Sequence, residues 1–220
     1  MRIIVTAGPT REHLDPVRFL SNPSTGKMGF AIAAEAARRG HDVTLVAGPV
    51  SLKTPKGVER IDVVSAREML EAARSALETA CASGLTCFVS TAAVADWRPA
   101  RCAATKLKKN RMDGILRLVR NPDILKALRR TFASAKSAGL LRLVGFAAET
   151  DHVLAEAARK CREKGLEFIV ANDVTQAGCG FGTDTNRVTF VFPNGTLKKF
   201  PLMAKRMVAR RILEEIEHEK

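Results

Sequence analysis

Apolar and polar residues follow two periods along the chain. Short runs of valine, isoleucine and leucine predict buried strands at residues 2–7, 43–47, 61–64, 86–91, 141–147 and 167–171. Longer segments of helical periodicity predict amphipathic helices at 27–39, 66–80, 122–132 and 151–164, with Ser65 and Asn121 as N-caps. Strands and helices that alternate in this order predict an α/β fold, a doubly wound Rossmann-like parallel sheet with helices on both faces.

The C-terminal part of the chain follows a different pattern. Residues 187–192 and 196–200 are typical of strands, and Asn194-Gly195 lies between them. This arrangement predicts a C-terminal β-hairpin extension with a type I′ turn. A closing helix is expected from about residue 202 onward.

No linker or change in composition divides the sequence, so we expect a single domain over residues 1–220. Residues 96–113 are the segment that stands apart. Asp96-Trp97-Arg98-Pro99 ends a strand, and the basic residues that follow have no apolar period; they are Lys106, Lys108, Lys109 and Arg111. This composition predicts a mobile basic loop.

Charge narrows the range of partners. The 36 lysines and arginines exceed the 23 acidic residues, and the net charge of +13 favours anionic ligands such as nucleic acid, a membrane surface or phosphorylated small molecules. One tryptophan and no tyrosine leave little aromatic surface for stacking bases, and no nucleic-acid-binding motif occurs. The N-terminus enters a strand directly, without a signal-peptide pattern, and no apolar run has the length of a membrane span. We therefore expect a cytoplasmic protein that binds neither nucleic acid nor membrane.

The five cysteines and four histidines are scattered along the sequence. No pair has C-x-x-C spacing, and the histidines lack the spacing of metal ligands. We expect reduced thiols and no structural zinc.

Ligands of open α/β sheets bind beyond the carboxyl ends of the strands, so the loops there are candidate sites. Gly8-Pro9-Thr10 follows the first strand, and Ser24-Thr25-Gly26-Lys27-Met28-Gly29 opens the first helix. The N–H groups of a helix N-terminus suit phosphate. However, Ser21 and Met28 depart from the Walker A pattern, and the dinucleotide fingerprint is missing. Glycines that serve only turns and packing explain this spacing equally well.

Three further loops carry polar or aromatic candidates. Asp96 follows a run of small residues and could bind Mg²⁺ beside a triphosphate, accept a hydrogen bond from a substrate hydroxyl, or cap a turn. Phe146 could pack against a base or belong to the core. Lys160 and Lys164 lie on one helix face and could converge on an anion, or could complement the helix dipole.

These loops resemble one family in their sequence and order. The matching segments are Gly8-Pro9-Thr10-Arg11-Glu12, Asp15-Pro16-Val17-Arg18-Phe19, Ser21-Asn22, Gly26-Lys27-Met28-Gly29, Ala92-Ala93-Val94-Ala95-Asp96, Lys106-Leu107-Lys108-Lys109, Asn121-Pro122-Asp123-Ile124, Gly145-Phe146-Ala147-Ala148-Glu149-Thr150 and Ala171-Asn172-Asp173. Along nearly the whole chain the sequence resembles phosphopantothenoylcysteine synthetase. It departs from the family at Pro23-Ser24-Thr25, where His-Ser-Ser is common, and this leaves the role of position 23 open.

The resemblance implies a ligase of coenzyme A biosynthesis. Such an enzyme activates 4′-phosphopantothenate with a nucleoside triphosphate, releases pyrophosphate, and joins the activated carboxyl group to cysteine. The bacterial form of the motifs implies CTP as co-substrate, and the charge that develops in the family's reaction implies Mg²⁺ as cofactor. In many bacteria a flavin-dependent decarboxylase forms the N-terminal half of the same protein; the sequence has no counterpart of that half, so we expect no flavin.

The resemblance also implies roles for particular residues. The implied nucleotide-binding residues are Gly8, Ser24, Gly26, Gly29, Ser90, Thr91, Ala92, Asp96, Lys106, Asn121, Pro122, Asp123, Ile124, Phe146, Lys160, Lys164 and Asn172. The implied substrate-binding residues are Arg18, Asn22, Ala92, Ala93 and Asp96. The implied catalytic residues are Asn22, which would hold the activated carbonyl, and Lys106, which would close over the nucleotide. Mg²⁺ would be held by the nucleotide phosphates, with Asp96 as a candidate ligand.

The family resemblance further implies a homodimer in which Arg18 reaches the substrate of the other subunit. Two other classes of protein fit parts of the sequence. A nicotinamide-dependent oxidoreductase shares the architecture and would show tight NAD(P)H binding. A basic RNA-binding module fits the charge and would show a salt-dependent affinity for RNA.

Overall fold

The structure is a computed structural model that describes residues 1–111 and 114–218. The strands are β1 Arg2–Ala7, β2 Arg11–His13, β3 Phe19–Ser21, β4 Asp42–Ala47, β5 Val58–Asp62, β6 Thr86–Ser90, β7 Trp97–Pro99, β8 Leu118–Arg120, β9 Leu141–Glu149, β10 Phe168–Asp173, β11 Thr185–Asn186, β12 Val188–Val191, β13 Leu197–Lys199 and β14 Met203–Ala204. The helices are α1 Lys27–Arg38, α2 Ala66–Cys81, α3 Ile124–Thr131, α4 Ala133–Ser137, α5 Val153–Lys164 and α6 Lys205–His218.

Eight strands form the central sheet, in the order β13-β12-β10-β9-β6-β1-β4-β5. The six strands from β10 to β5 run parallel, and β12 and β13 continue the sheet in antiparallel pairing. The central strands are almost continuously apolar because helices cover them on both faces. The predicted doubly wound fold with its C-terminal hairpin extension is confirmed.

The two faces of the sheet bury separate hydrophobic clusters. On one face, Phe30 and Ile32 of α1 pack with Ile212 of α6. On the other, Met69 of α2 and Leu128 of α3 belong to a cluster that also includes residues of α5. This burial holds the strand ends in place, and the functional loops follow those ends. Within the described ranges, no helix combines the length and apolarity that crossing a membrane requires.

Most predicted elements occur within a few residues of their expected bounds, but β5 does not. It covers Val58–Asp62 rather than 61–64, because its parallel register with β4 begins at Val58 and ends at Asp62. Val63 and Val64 make single backbone contacts instead: the Val63 N–H donates to the Ala47 carbonyl, and the Val64 carbonyl accepts from the Arg11 N–H.

The predicted N-cap of α3 is also wrong. Asn121 lies outside the helix, and its Nδ2 donates to the Ala95 carbonyl at 2.8 Å. Asp123 is the N-cap, since its side chain accepts a hydrogen bond from the Lys126 N–H at 3.1 Å. An N-cap side chain must accept a hydrogen bond from the first turn of the helix, whereas the Asn121 side chain donates one to a different loop. The other predicted N-cap, Ser65, caps α2.

The turn between β12 and β13 is not type I′. The Gly195 N–H donates to the Phe192 carbonyl, which makes Pro193 and Asn194 the central residues of the turn. A type I′ turn requires positive φ at both central positions, which the ring of Pro193 forbids. The positive φ of 88° falls on Gly195, as in a type I turn followed by a bulge.

The segment at 96–113 is more regular than expected where it is described. Trp97–Pro99 is strand β7, which pairs with β8, and Lys109–Arg111 forms a 3₁₀ turn. Residues 112 and 113 lie outside the described residues. The short hairpin of β2 and β3 and the pairing of β11 with β14 were missed, because these two- and three-residue strands are too short to show a period.

Candidate functional site

A cavity of about 910 Å³ opens at the carboxyl ends of the parallel strands. Its volume is typical of small-molecule sites. Most of the predicted site residues line it: Asn22, Ser24, Gly26, Gly29, Ser90, Thr91, Ala92, Ala93, Asp96, Asn121, Pro122, Asp123, Ile124, Phe146, Lys164 and Asn172. Gly8, Arg18, Lys106 and Lys160 are not among its lining residues. The sheet thus brings together loops that are far apart in sequence.

The N-terminus of α1 opens into this cavity. Gly26 is the N-cap, with a positive φ of 78°, and no side chain caps the helix. The first turn contains no acidic residue, and Lys27, Met28 and Gly29 line the cavity. The first N–H groups of a helix have no intrahelical partner, and the helix dipole makes this end positive. The site can therefore receive an anion on backbone donors.

Close packing explains why glycine occupies position 29. A Cβ atom there would lie 2.5 Å from both the Ala7 Cβ and the Thr91 Oγ1. Glycine thus lets α1 approach the ends of β1 and β6. Gly8 is required for a different reason. Its φ is 78°, a backbone conformation that favours glycine. It packs beneath Gly26 and does not face the cavity.

Asn22 ties two of the cavity loops together. Its Nδ2 donates to the Ala93 carbonyl at 3.0 Å and to the Val94 carbonyl at 3.2 Å. An amide nitrogen has two protons, so both are used within the protein. The side chain therefore offers its Oδ1 to a ligand, as an acceptor, whereas the sequence interpretation had Asn22 hold a carbonyl.

Arg18 is engaged within its own chain. Its Nε donates to the Asp15 Oδ2 at 3.1 Å, and its Nη2 donates to that oxygen and to the Leu107 carbonyl. The Asp15 carboxylate also accepts hydrogen bonds from the N–H groups of Val17, Arg18 and Leu107. The Arg18 guanidinium holds the pKa of Asp15 well below its usual range, although burial opposes this shift. This cluster anchors the basic segment at Leu107, beside the exposed Lys106.

The two lysines of α5 have different partners in the structure. Lys160 forms an ion pair with Glu149. Lys164 lines the cavity and lies 3.0 Å from the Asp123 Oδ2. Asp96 is exposed at the cavity, and its carboxylate has no hydrogen-bond partner among the described residues. On this side of the cavity, Asp96 is thus an exposed acceptor, and Lys164 is a partly buried donor that is paired with Asp123.

Sequence analysis missed a group of cavity residues near the C-terminus. Phe181 and Lys205 line the cavity together with Lys27. Lys205 is 7% exposed, and its pKa is lowered by burial and then by the charge of Lys27. Nearby, the Asn172 Oδ1 is buried without a partner among the described residues. No local pattern marks Lys205, because it begins an ordinary amphipathic helix; its role depends on contacts with residues 180–183.

The donor set fits a magnesium ion that a nucleotide carries rather than one that the protein cages. Among the residues that the structure describes, no group of three or more histidines, cysteines, aspartates or glutamates could hold a metal. The cavity offers the single carboxylates of Asp96 and Asp123. Protein sites commonly bind Mg²⁺ through one or two carboxylates together with substrate phosphates.

Residues 1–219 match the model of the family described as DNA/pantothenate metabolism flavoprotein C-terminal domain. The chain therefore belongs to this family. It is 45% identical, over 219 residues, to the coenzyme A biosynthesis bifunctional protein CoaBC of Escherichia coli strain K12. The alignment covers 98% of this chain and 51% of that relative, so the chain spans about half the length of the curated relatives that it matches. The resemblance to the synthetase family is confirmed.

Solved structures agree with this assignment. The C-terminal domain of a coenzyme A biosynthesis bifunctional protein CoaBC is 40% identical, with a TM-score of 0.77, over 98% of this chain and 93% of that one. A Cab2 variant in complex with phosphopantothenate-cysteine has a TM-score of 0.75 at 17% identity, over 98% of this chain and 86% of that one. At that identity the likeness shows a shared fold.

Proposed function

We propose that this chain is a phosphopantothenate–cysteine ligase that activates 4′-phosphopantothenate with CTP. The observation that carries the proposal is the uncapped N-terminus of α1, which opens with Lys27 and Lys205 into a cavity of about 910 Å³. This arrangement suits a ligand with several phosphate groups. Membership of the family and the identity to a coenzyme A biosynthesis protein support this choice of substrate class.

In the first step, the substrate carboxylate attacks the α-phosphorus, and pyrophosphate leaves as the acyl-cytidylate forms. Negative charge develops on the leaving phosphates. The N–H groups of Lys27, Met28 and Gly29 and the Lys27 ammonium group are the donors that would stabilise it. Mg²⁺ carried by the phosphates would supply further charge neutralisation, with Asp96 as the exposed carboxylate beside it.

In the second step, the cysteine amine attacks the activated carbonyl and CMP leaves. Because both Nδ2 protons of Asn22 are donated to Ala93 and Val94, its Oδ1 is the atom that can act on the substrate. We assign it the role of accepting a hydrogen bond from the attacking amine, which orients the nitrogen lone pair toward the carbonyl. The same two hydrogen bonds fix the loop at Ala93 and Val94, against which the acyl group would lie.

Two further residues with proposed roles, Lys106 and Arg18, do not line the cavity. Lys106 adjoins Leu107, which Asp15 and Arg18 hold, so Lys106 would reach the nucleotide from an anchored base. In a homodimer, Arg18 would reach the substrate of the second subunit. The Asp15 pair would then also orient the guanidinium for that contact.

The preference for CTP rests on the form of the family motifs. Both lysines expected near the base are paired with a carboxylate, but Lys164 lines the cavity and Lys160 does not. Lys164 is therefore the side chain that we assign to cytosine acceptors, with Phe146 against the base.

A pyrophosphate-release assay tests the proposal. CTP and ATP are compared, with 4′-phosphopantothenate and cysteine each present or omitted. We expect release with CTP that depends on 4′-phosphopantothenate, and faster turnover when cysteine is added. An absolute need for cysteine in a single turnover would contradict the acyl-cytidylate route. Equal rates with ATP would contradict the preference for CTP.

A further inference from the structure

The segment Gly180–Thr183 forms part of the cavity wall without an apolar core of its own. A Cβ atom on Gly180 or Gly182 would meet no atom within 4 Å, so neither residue packs closely against the fold. Phe181 lies at the cavity, only partly buried. Something other than apolar packing must therefore hold this segment in place.

Lys205, the first residue of α6, supplies much of that hold. Its Nζ donates to the carbonyl oxygens of Thr183 at 2.6 Å, Phe181 at 3.3 Å and Gly180 at 3.5 Å. Its backbone N–H donates to the Asp184 carbonyl at 2.9 Å. Burying an ammonium group is costly unless its protons find acceptors, and here all of them can find one within a single segment.

Side chains at the start of α1 hold the same segment from the other side. The Thr25 Oγ1 donates to the Phe181 carbonyl at 2.9 Å. Lys27 Nζ donates to the Gly182 carbonyl at 3.0 Å and pairs with the Asp184 Oδ1 at 2.7 Å. Donors from two helices thus converge on the segment.

Charge is not balanced in this cluster. Asp184 pairs with Lys27, and within the described part of the chain no carboxylate pairs with Lys205. The two lysines and one aspartate leave a net positive charge beside the N-terminus of α1. This net charge would attract an anion to the N-terminus of α1.

The geometry points to Lys205 as a positioning residue of the anion-binding end of the cavity. It fixes the segment Gly180–Thr183 against the first turn of α1, and through that segment it places Lys27 where the phosphates bind. Its charge need not contact the ligand. The expected effect of Lys205 on nucleotide binding rests on the proposed ligase function. Its effect on the position of the segment does not.

Limited proteolysis tests the effect on the segment. Chymotrypsin cleaves after phenylalanine, and cleavage after Phe181 requires the segment to leave its place. In Lys205→Met we expect this cleavage to be about tenfold faster or more, since hydrogen bonds to a charged donor are lost. Lys205→Arg retains the donors and should resemble the unmodified protein. Lys199→Met, the same change on an exposed strand, is the matched control.

Mass spectrometry of the fragments gives the rate at this bond. Unchanged cleavage in Lys205→Met overturns the proposal, whatever the activity. If that variant does not fold, Lys205→Gln is measured instead and must show faster cleavage than Lys199→Met; an equal rate overturns the proposal as well.

Kinetics then test the link to Lys27. We expect the KM for the nucleotide to rise about tenfold in Lys205→Met, with a much smaller change in kcat. In Lys205→Arg, the KM should lie close to that of the unmodified protein. A fall in kcat alone would contradict positioning through Lys27. If the protein has no ligase activity at all, the proposed function fails. The positioning role is then tested by the binding of inorganic pyrophosphate, which must be weaker in Lys205→Met than in the unmodified protein.

Discussion

The cavity has two kinds of wall, and they are stabilised in different ways. One is formed by α1 and the ends of β1 and β6, where Gly29 lies against Ala7 and the strands are buried in the sheet. The other consists of loops held by a few polar side chains: Asn22 on Ala93 and Val94, and Lys205 on residues 180–183. We call these the packed wall and the tethered wall. A third tether, Asp15 on Leu107, holds the basic segment outside the cavity lining.

This difference in stabilisation indicates that the two walls have different roles. The packed wall presents backbone N–H groups to the cavity, and its position follows from burial of apolar area over the whole sheet. The tethered wall places individual side chains, and each tether is a small number of hydrogen bonds. Substitutions in the packed wall should therefore reduce stability, whereas substitutions of the tethers at the cavity should reduce activity first.

The largest effect is expected from Asn22→Asp, which removes a tether at the proposed reacting centre. Aspartate has no N–H groups for the Ala93 and Val94 carbonyls, and its charge repels both oxygens. We expect amide formation to slow about 10²–10³-fold, as when a positioned polar group is lost from an active site. Acyl-cytidylate should then accumulate, which mass spectrometry can detect.

The matched control for this substitution is Asn194→Asp. The Asn194 Oδ1 accepts a hydrogen bond from the Thr196 N–H at 2.9 Å, and aspartate keeps that acceptor. Among the described residues, the Asn194 side chain makes no other hydrogen bond. This variant should behave like the unmodified protein. Normal turnover of Asn22→Asp without accumulated intermediate would show that the tether has no part in the second step.

Gly29→Ala tests the packed wall. The added methyl group would lie 2.5 Å from both Ala7 Cβ and Thr91 Oγ1, so α1 must shift. Overpacking of this kind costs about 1–3 kcal/mol of the free energy of unfolding. Urea denaturation monitored by circular dichroism measures it.

Gly182→Ala is the control on the tethered wall, since a Cβ there meets no atom within 4 Å. We expect its free energy of unfolding to change by less than about 0.5 kcal/mol. Equal losses in the two variants would remove the distinction between the walls.

The same distinction explains what the sequence could predict. The packed wall follows from local patterns: the apolar runs predict β1 and β6, and the glycines that open α1 mark its N-terminus. The fold and most cavity-lining loops could therefore be predicted from the sequence. The family motifs also marked Asn22, although only the structure shows which of its atoms remains for a ligand.

The hydrogen bonds of the tethers could not be predicted from the sequence, because they join residues that are distant in it. Asp15 and Leu107 are separated by 92 positions, and nothing near either residue indicates the other. Lys205 reaches back 22 residues to Thr183 from the start of a helix. Lys160 shows the converse: its spacing from Lys164 was correct for one helix face, but a bond to Glu149 directs it elsewhere.

The smallest effect is expected from Asp15→Asn, which weakens the tether at Leu107. The Asp15 carboxylate is held ionised by Arg18, so its pKa in the folded protein lies below the ordinary value of 3.8. A lowered folded-state pKa means that the ionised group stabilises the fold above pH 3.8, and that this contribution is lost as the pH falls toward the folded-state pKa. The unmodified protein should therefore have a Tm about 2–4 °C above that of Asp15→Asn near pH 7. This gap should narrow steadily below pH 3.8. Thermal unfolding of both proteins between pH 7 and pH 2.5 measures it, with Asp151→Asn as a control at an exposed carboxylate. A gap that stays constant down to pH 2.5 would mean that the carboxylate charge does not hold this tether, and the anchoring of Lys106 would then need another cause.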